Sequence, residues 1–241
     1  MSAEFKARRR DHCLILVMSN PGACNTLHAD MYAAAIETLS TAERDDSVRA
    51  VILTGADDCF CAGIDAQISP GLPTAQADTL DRLHSWIEAL RDCPKPVIAA
   101  VEGTATDAGF SLALACDLIV AGASATFAMS YVRHALTPDS VGPWLLLQAL
   151  PRQLASEILL QGQPSTAARL HHLGVINRLV ADGAALDSAL AWADQLATLS
   201  PAAIECNKAL INDAAVGDLQ TSFESVTQQY LKTVRQHQVR P

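Results

Sequence analysis

The sequence predicts an α/β core followed by an all-helical C-terminal part, and three observations carry that reading. Short apolar runs such as CLILVM at 13–18, VILT at 51–54 and VIAAV at 97–101 recur through the first 180 residues. Segments with apolar residues at helical spacing lie between them, which calls for crossover connections of the α/β kind. After residue 180 the apolar runs stop while the helical period goes on. With 241 residues, 50% hydrophobic and 18% charged, the chain can bury one large core or a core plus a small unit, and disorder is excluded.

Each element follows in order. Residues 13–18 read as a buried strand and 27–43 as an amphipathic helix with Asn25 or Thr26 as its cap. A second strand spans 48–54 and ends at Gly55. The stretch 76–93 is helical in period, with Leu80, Leu83, Ile87 and Leu90 on one face, and Pro94-Lys95-Pro96 stops it before a third strand at 97–101. A short apolar helix at 109–116 feeds a strand at 118–121, a helix covers 141–150, and 175–180 is the last strand. Residues 182–199, 201–213 and 219–235 then read as three successive helices. We therefore divide the chain into a core at 1–180, carrying the site, and a helical region at 181–241. Ser69-Pro70-Gly71-Leu72-Pro73 is the predicted mobile loop.

Composition excludes several classes. Seventeen Lys+Arg against 26 Asp+Glu leave a formal net charge of −9, the wrong sign for a nucleic-acid or anionic-membrane binder. Arg8-Arg9-Arg10 is the only basic run, and it reads as solvating the start of the first strand. No run approaches the roughly 20 apolar residues of a membrane helix, and the first residues do not read as a signal peptide. Seven cysteines, several inside apolar runs, read as buried reduced thiols of a cytoplasmic protein. Cys59 and Cys61 lack zinc-knuckle spacing, and His171-His172 has no ligand partners in register, so no metal is assigned.

Chemistry concentrates where small residues sit at strand-to-helix junctions: CFCAGID at 59–65, EGTATDAG at 102–109 and LTPDSVG at 136–142. Such turns leave helix-start N–H groups uncovered, and two facing turns would form a two-donor oxyanion hole. These segments resemble the crotonase (enoyl-CoA hydratase/isomerase) superfamily. TGADDCFCAGID is similar to the family's TGxGxxFCAGxD, and KPVIAAVEGTATDAGFSLALACDLIVA to its KPVIAAVxGxAxGGGxELALACDxxxA. The resemblance runs from about residue 10 to 215. It implies a spiral of ββα units with a C-terminal helical trimerisation region, and a homotrimer or a hexamer of paired trimers. The substrate would be an acyl-CoA thioester, with coenzyme A as its handle and no separate cofactor.

By the resemblance, the backbone N–H groups of Ile64 and Ala108 are the oxyanion donors, and Cys24, Ala62, Asp65, Gly109 and Tyr131 lie along the CoA and acyl path. The residues also admit packing for Ile64 and Ala108 and a helix cap for Asp65. Hydratases of the family use two glutamates, one to activate water and one to supply a proton. Ser111 and Tyr131 stand at those positions, and neither is acidic near neutral pH, since a phenol titrates near ~10. Asp139, in LTPDSVG, matches the single acid of the isomerase branch, whose pattern resembles GLxPDxGGxW; Trp144 fits it as well. Asp139 also has the sequence context of an N-cap for the helix at 141–150.

His84 corresponds to the histidine base of the 4-chlorobenzoyl-CoA dehalogenase of this superfamily, but equally borders the packed face Leu83–Ile87–Leu90. Asp107 replaces a glycine beside the oxyanion turn, putting negative charge near a developing negative charge. The sequence closes at Gln238-Val239-Arg240-Pro241 without the family's EGxxAFxxKRxP element, leading us to expect looser CoA closure and assembly. The sequence-level expectation is an enoyl-CoA isomerase with Asp139 as its acid/base. The rivals are a dehalogenase-like or thioesterase hydrolase using Asp139 and His84, and an inactive acyl-CoA-binding paralogue.

Overall fold

The computed structural model describes residues 3–64 and 73–239, with side chains omitted at 73–76 and 236–239. Asp65 and residues 69–72 of the predicted loop lie outside the described residues; Pro73 opens a helix. The chain begins with a hairpin of β1 (Glu4–Arg10) and β2 (Cys13–Ser19), turned by Asp11 at φ 51°. β1 was not predicted. The Arg8–Arg10 run is itself strand, an exposed edge whose consecutive positive charges discourage pairing with other chains. Helix α1 (Ala29–Arg44) follows, then β3 (Ala50–Gly55), α2 (Pro73–Asp92) and β4 (Val97–Val101).

From β4 onward the chain coils in ββα units. β5 (Thr104–Thr106), α3 (Ala108–Ala115), β6 (Leu118–Gly122) and β7 (Thr126–Ala128) lead to a 3-10 turn at Tyr131–His134 and to α4 (Gly142–Ala149). α5 (Arg152–Gln161), β8 (Ser165–Thr166), α6 (Ala167–His172) and β9 (Arg178–Val180) complete the coil. The first strand of each unit joins a six-stranded sheet, β1-β2-β3-β4-β6-β9, parallel from β2 on. The second joins a small sheet, β5-β7-β8. The short strands of the small sheet were not predicted; two or three residues carry too little periodicity.

The large sheet is buried on both faces, which is why its strands read as unbroken apolar runs. Leu16, Met18, Val51, Leu53, Val97, Ala99 and Val101 face the main core with α1–α6, while Cys13, Ile15, Ala50, Ile52, Ile98 and Ala100 face the other way. That second face is covered by α7 (Ala185–Ala197), whose Ala185, Ala189 and Ala193 let it approach closely. Helices α8 (Pro201–Val216) and α9 (Leu219–Val239) finish the described chain. No helix among the described residues is long and apolar enough to cross a membrane.

Two predicted caps are corrected. The N-cap of α1 is His28, without a side-chain cap bond. Asn25, at φ 52°, instead accepts from the Asn20 N–H and donates to the carbonyls of Ala56 and Cys59, tying two loops together. Likewise the N-cap of α4 is Val141, so Asp139 is not a cap.

Candidate active site

The site is assembled from the turns after β3 and β5 and the segment before α4. Cys61 bridges Ala105 in parallel; its N–H donates to the Thr104 carbonyl at 3.0 Å and its carbonyl accepts from the Thr106 N–H at 2.9 Å. The two turns are thereby zipped side by side. Glycine is required at the contact: a Cβ on Gly109 would lie 2.2 Å from the Cys61 carbonyl oxygen. A Cβ on Gly63, at φ 92°, would lie 3.6 Å from the Ala108 nitrogen, so the Gly63–Ile64 backbone runs beside the start of α3. Ala108 is the first residue of that helix, where an N–H has no intrahelical acceptor. Ile64 is half-buried beside Leu27, whose N–H donates to the Gly63 carbonyl at 2.8 Å. The two backbone groups nominated as oxyanion donors thus sit on adjoining turns. Beside these turns, the buried Cys61 thiol, which accepts from the Gly63 N–H, is pushed up to about 12 by desolvation, which keeps it neutral.

Asp107, the N-cap of α3, has φ 56° and ψ −117°, a conformation strained for any residue but glycine. Its carboxylate accepts from the Ser130 N–H at 2.5 Å and the Ser130 hydroxyl at 2.7 Å, which fixes where its charge lies. Burial nonetheless raises its pKa, against the lowering effect of those bonds.

Asp139 is half-buried. Tyr131 Oη donates to its Oδ1 at 2.5 Å. Burial, the largest influence, raises the Asp139 pKa; the Tyr131 bond lowers it, and nearby Asp107 raises it again. His84, on α2, meets the same segment through Nε2, 3.2 Å from the backbone carbonyl of Asp139. A carbonyl only accepts, so Nε2 carries the hydrogen and donates there. Fully buried Ser111 shares a hydrogen bond of 2.7 Å with Ser140, and Ser111 Oγ would lie 2.8 Å from a Cβ on Gly142. Sequence reasoning had no signal for Ser130 or Ser140, whose roles exist only through chain segments folded against them.

Cys24, exposed at φ 47°, and Cys59 form a disulfide with Cα atoms 5.6 Å apart. This corrects the expectation that all seven cysteines are thiols, and with it one of the grounds for a reducing compartment. The pairing arises because Asn25 clamps these loops together. The Cys24 carbonyl also accepts from the Ala62 N–H at 3.0 Å, so both residues belong to the rim that leads to Ile64.

Comparisons with known proteins give the family and the fold. Residues 9–240 match the family model described as "Enoyl-CoA hydratase/isomerase". The chain is 35% identical over 216 residues to the 1,2-epoxyphenylacetyl-CoA isomerase of Escherichia coli (strain K12), covering 88% of this chain and 82% of that protein. It is 36% identical over 201 residues to the enoyl-CoA hydratase EchA19 of Mycobacterium tuberculosis (strain ATCC 25618 / H37Rv), covering 82% and 76%. A crystal structure of an enoyl-CoA hydratase from Polaromonas sp. JS666 superposes with a TM-score of 0.92 at 43% identity, covering 95% of this chain and 91% of that one.

Proposed function

The chain belongs to the enoyl-CoA hydratase/isomerase family, and from that premise we propose that it works as an acyl-CoA isomerase with Asp139 as its single proton carrier. The observation that carries this reading is a half-buried carboxylate, Asp139, held by a phenol and flanked by serine hydroxyls. By the family resemblance, Ser111 and Tyr131 stand at the positions where a water-adding enzyme of the family would hold its two acids, and here both are hydroxyls engaged with the Asp139 segment. The relatives carry both isomerase and hydratase names, and the chemistry of these side chains favours the first.

The reaction follows from one base and one electrophilic pocket. The Asp139 carboxylate removes a proton α to the thioester, and the C–H electron pair moves into an enolate. Its oxygen accepts from the N–H groups of Ile64 and Ala108, a water-poor pair of donors worth a few kcal/mol. The protonated Asp139 returns the proton at the γ carbon, and the double bond moves from C3–C4 to C2–C3. No electron leaves the substrate, so coenzyme A serves only as its handle. A raised Asp139 pKa suits this shuttle, because the group must both take and release a proton near neutral pH. Substrates of this kind are Δ3-enoyl-CoAs, or ring-epoxide CoA esters such as the E. coli relative's name describes. The hydrolytic reading loses support from His84, whose Nε2 is engaged with a backbone carbonyl.

The test is proton exchange on a Δ3-enoyl-CoA in D₂O, followed by NMR, with Asp139→Asn beside the wild type. We expect migration and α/γ exchange in the wild type, and a loss of about 10³-fold in the variant. Thioester binding without any exchange in the wild type would overturn the reading.

A further inference from the structure

The 3-10 turn at Tyr131–His134 has no part in the mechanism above, yet it holds a phenol against the proposed base. Tyr131 is 6% exposed and Ser140 is 8% exposed, while residues 132–137 between them are exposed. The turn is pinned by the Leu136 N–H donating to the Tyr131 carbonyl at 3.0 Å and by Ala135 at φ 55°. The segment is therefore a solvated loop with two buried ends, and the Tyr131 Oη to Asp139 Oδ1 bond of 2.5 Å joins them. Ser140, next to Asp139, is itself held by Ser111 of α3.

We propose that Tyr131 is a positioning residue: it ties down Oδ1 of Asp139, so that Oδ2 alone carries the migrating proton. This rests on the isomerase reading. A carboxylate turning freely about χ2 would present either oxygen, and a proton taken by one would return along a poorly defined path. A donor fixed on Oδ1 stops that rotation and leaves Oδ2 the more basic oxygen. In the step itself the α C–H bond breaks as Oδ2–H forms; then Oδ2–H breaks as the γ C–H bond forms, with Tyr131 keeping its proton throughout. Tyr131 is suited to keep it, because burial first and the neighbouring Asp139 second push its own titration upward. The other groups facing Asp139 are the Ser140 hydroxyl, whose hydrogen bond also lowers its titration, Asp107 at the start of α3, Tyr32 of α1, Cys61, and His84 of α2 on the backbone carbonyl. Tyr131 makes the short bond to Oδ1, and of the two hydroxyls on this carboxyl its hydrogen bond lowers the Asp139 titration more.

The experiment is a ¹³C NMR titration of the Asp139 carboxyl, assigned through Asp139→Asn, in the wild type, in Tyr131→Phe and with a ring-fluorinated tyrosine at 131. Removing the donor should move the Asp139 titration, and the acid limb of the exchange rate, to higher pH. Fluorination makes the phenol a stronger donor and should move both to lower pH. In Tyr131→Phe we expect kcat to fall about ten-fold with KM within about twofold. An Asp139 titration unmoved by either replacement overturns the proposal, as does a kcat unchanged in a folded Tyr131→Phe. If Tyr131→Phe does not fold, the fluorinated protein decides, because it keeps the ring and the hydroxyl. If the wild type exchanges no proton, the isomerase reading fails, and with it the assignment of a shuttle to Oδ2. The titration, which needs no turnover, then still reports whether Tyr131 holds Asp139.

Discussion

Asp139 is placed where burial opposes its charge, and that opposition has a measurable cost. A carboxyl whose pKa is raised on folding favours the native state below its unfolded pKa, and that advantage is lost as pH rises through the folded value. Asp139→Asn keeps an acceptor for Tyr131 and removes the charge. The variant should therefore melt higher than the wild type at neutral pH, with the difference shrinking toward acid pH; calorimetry across pH checks this. Asp107 acts on the same group from the start of α3. Its replacement in Asp107→Asn removes a neighbouring negative charge and should shift the acid limb of the Asp139-dependent rate to lower pH. His84 separates the chemistries. His84→Ala should lower isomerisation only several-fold, by loosening the Asp139 segment, whereas a hydrolase depending on this ring would lose turnover altogether; thioester hydrolysis and proton exchange assayed side by side distinguish them.

At the scale of elements, the site depends on two backbones lying closer than any side chain allows. Gly109→Ala would drive a methyl into the Cys61 carbonyl and push α3 away from the turn carrying Ile64. The expected result is a destabilisation of about 2–3 kcal/mol with loss of activity, read by denaturant unfolding and by enolate-analogue binding. The Cys24–Cys59 bond secures the neighbouring loops across a sequence separation of 35. Replacing both cysteines by serine should reduce stability by about 3 kcal/mol, and intact mass before and after reduction reports the bond directly. Helix α8 is anchored differently. Buried Lys208 donates to Asp117 Oδ2 at 2.8 Å and to the carbonyls of Leu90 and Lys95. Asp117 also accepts from the Val97 N–H, joining α8 to the start of β4.

Over the whole molecule, the apolar surface is concentrated at the C-terminal end. Ile211 and Val216 of α8 and Leu219, Phe223, Val226 and Tyr230 of α9 are all exposed. A cluster of exposed apolar side chains of this kind marks a contact, and we propose that it serves assembly into a trimer or paired trimers. Light scattering should give a mass of three or six chains, and Phe223→Asp should lower it.

The apolar runs at 13–18, 51–54 and 97–101 determined the α/β class and the glycine turns marked where chemistry concentrates, because both signals are local; Ile64 and Ala108 were nominated as donors by the family resemblance. A strand buried on two faces must be apolar throughout, and a turn where a Cβ would lie 2.2 Å from a neighbouring carbonyl oxygen admits only glycine. Asp139 was also legible as the one acid in its motif. What the tertiary structure decided is how that acid is held: by Tyr131 at its carboxylate, His84 at its carbonyl and Ser111 at its neighbour. It also decided that Cys24 meets Cys59, and that Lys208 is buried against Asp117. These pairs lie between 8 and 91 residues apart along the chain. Side-chain hydrogen bonds leave no periodicity in sequence; only the folded backbone brings a donor within reach of its acceptor.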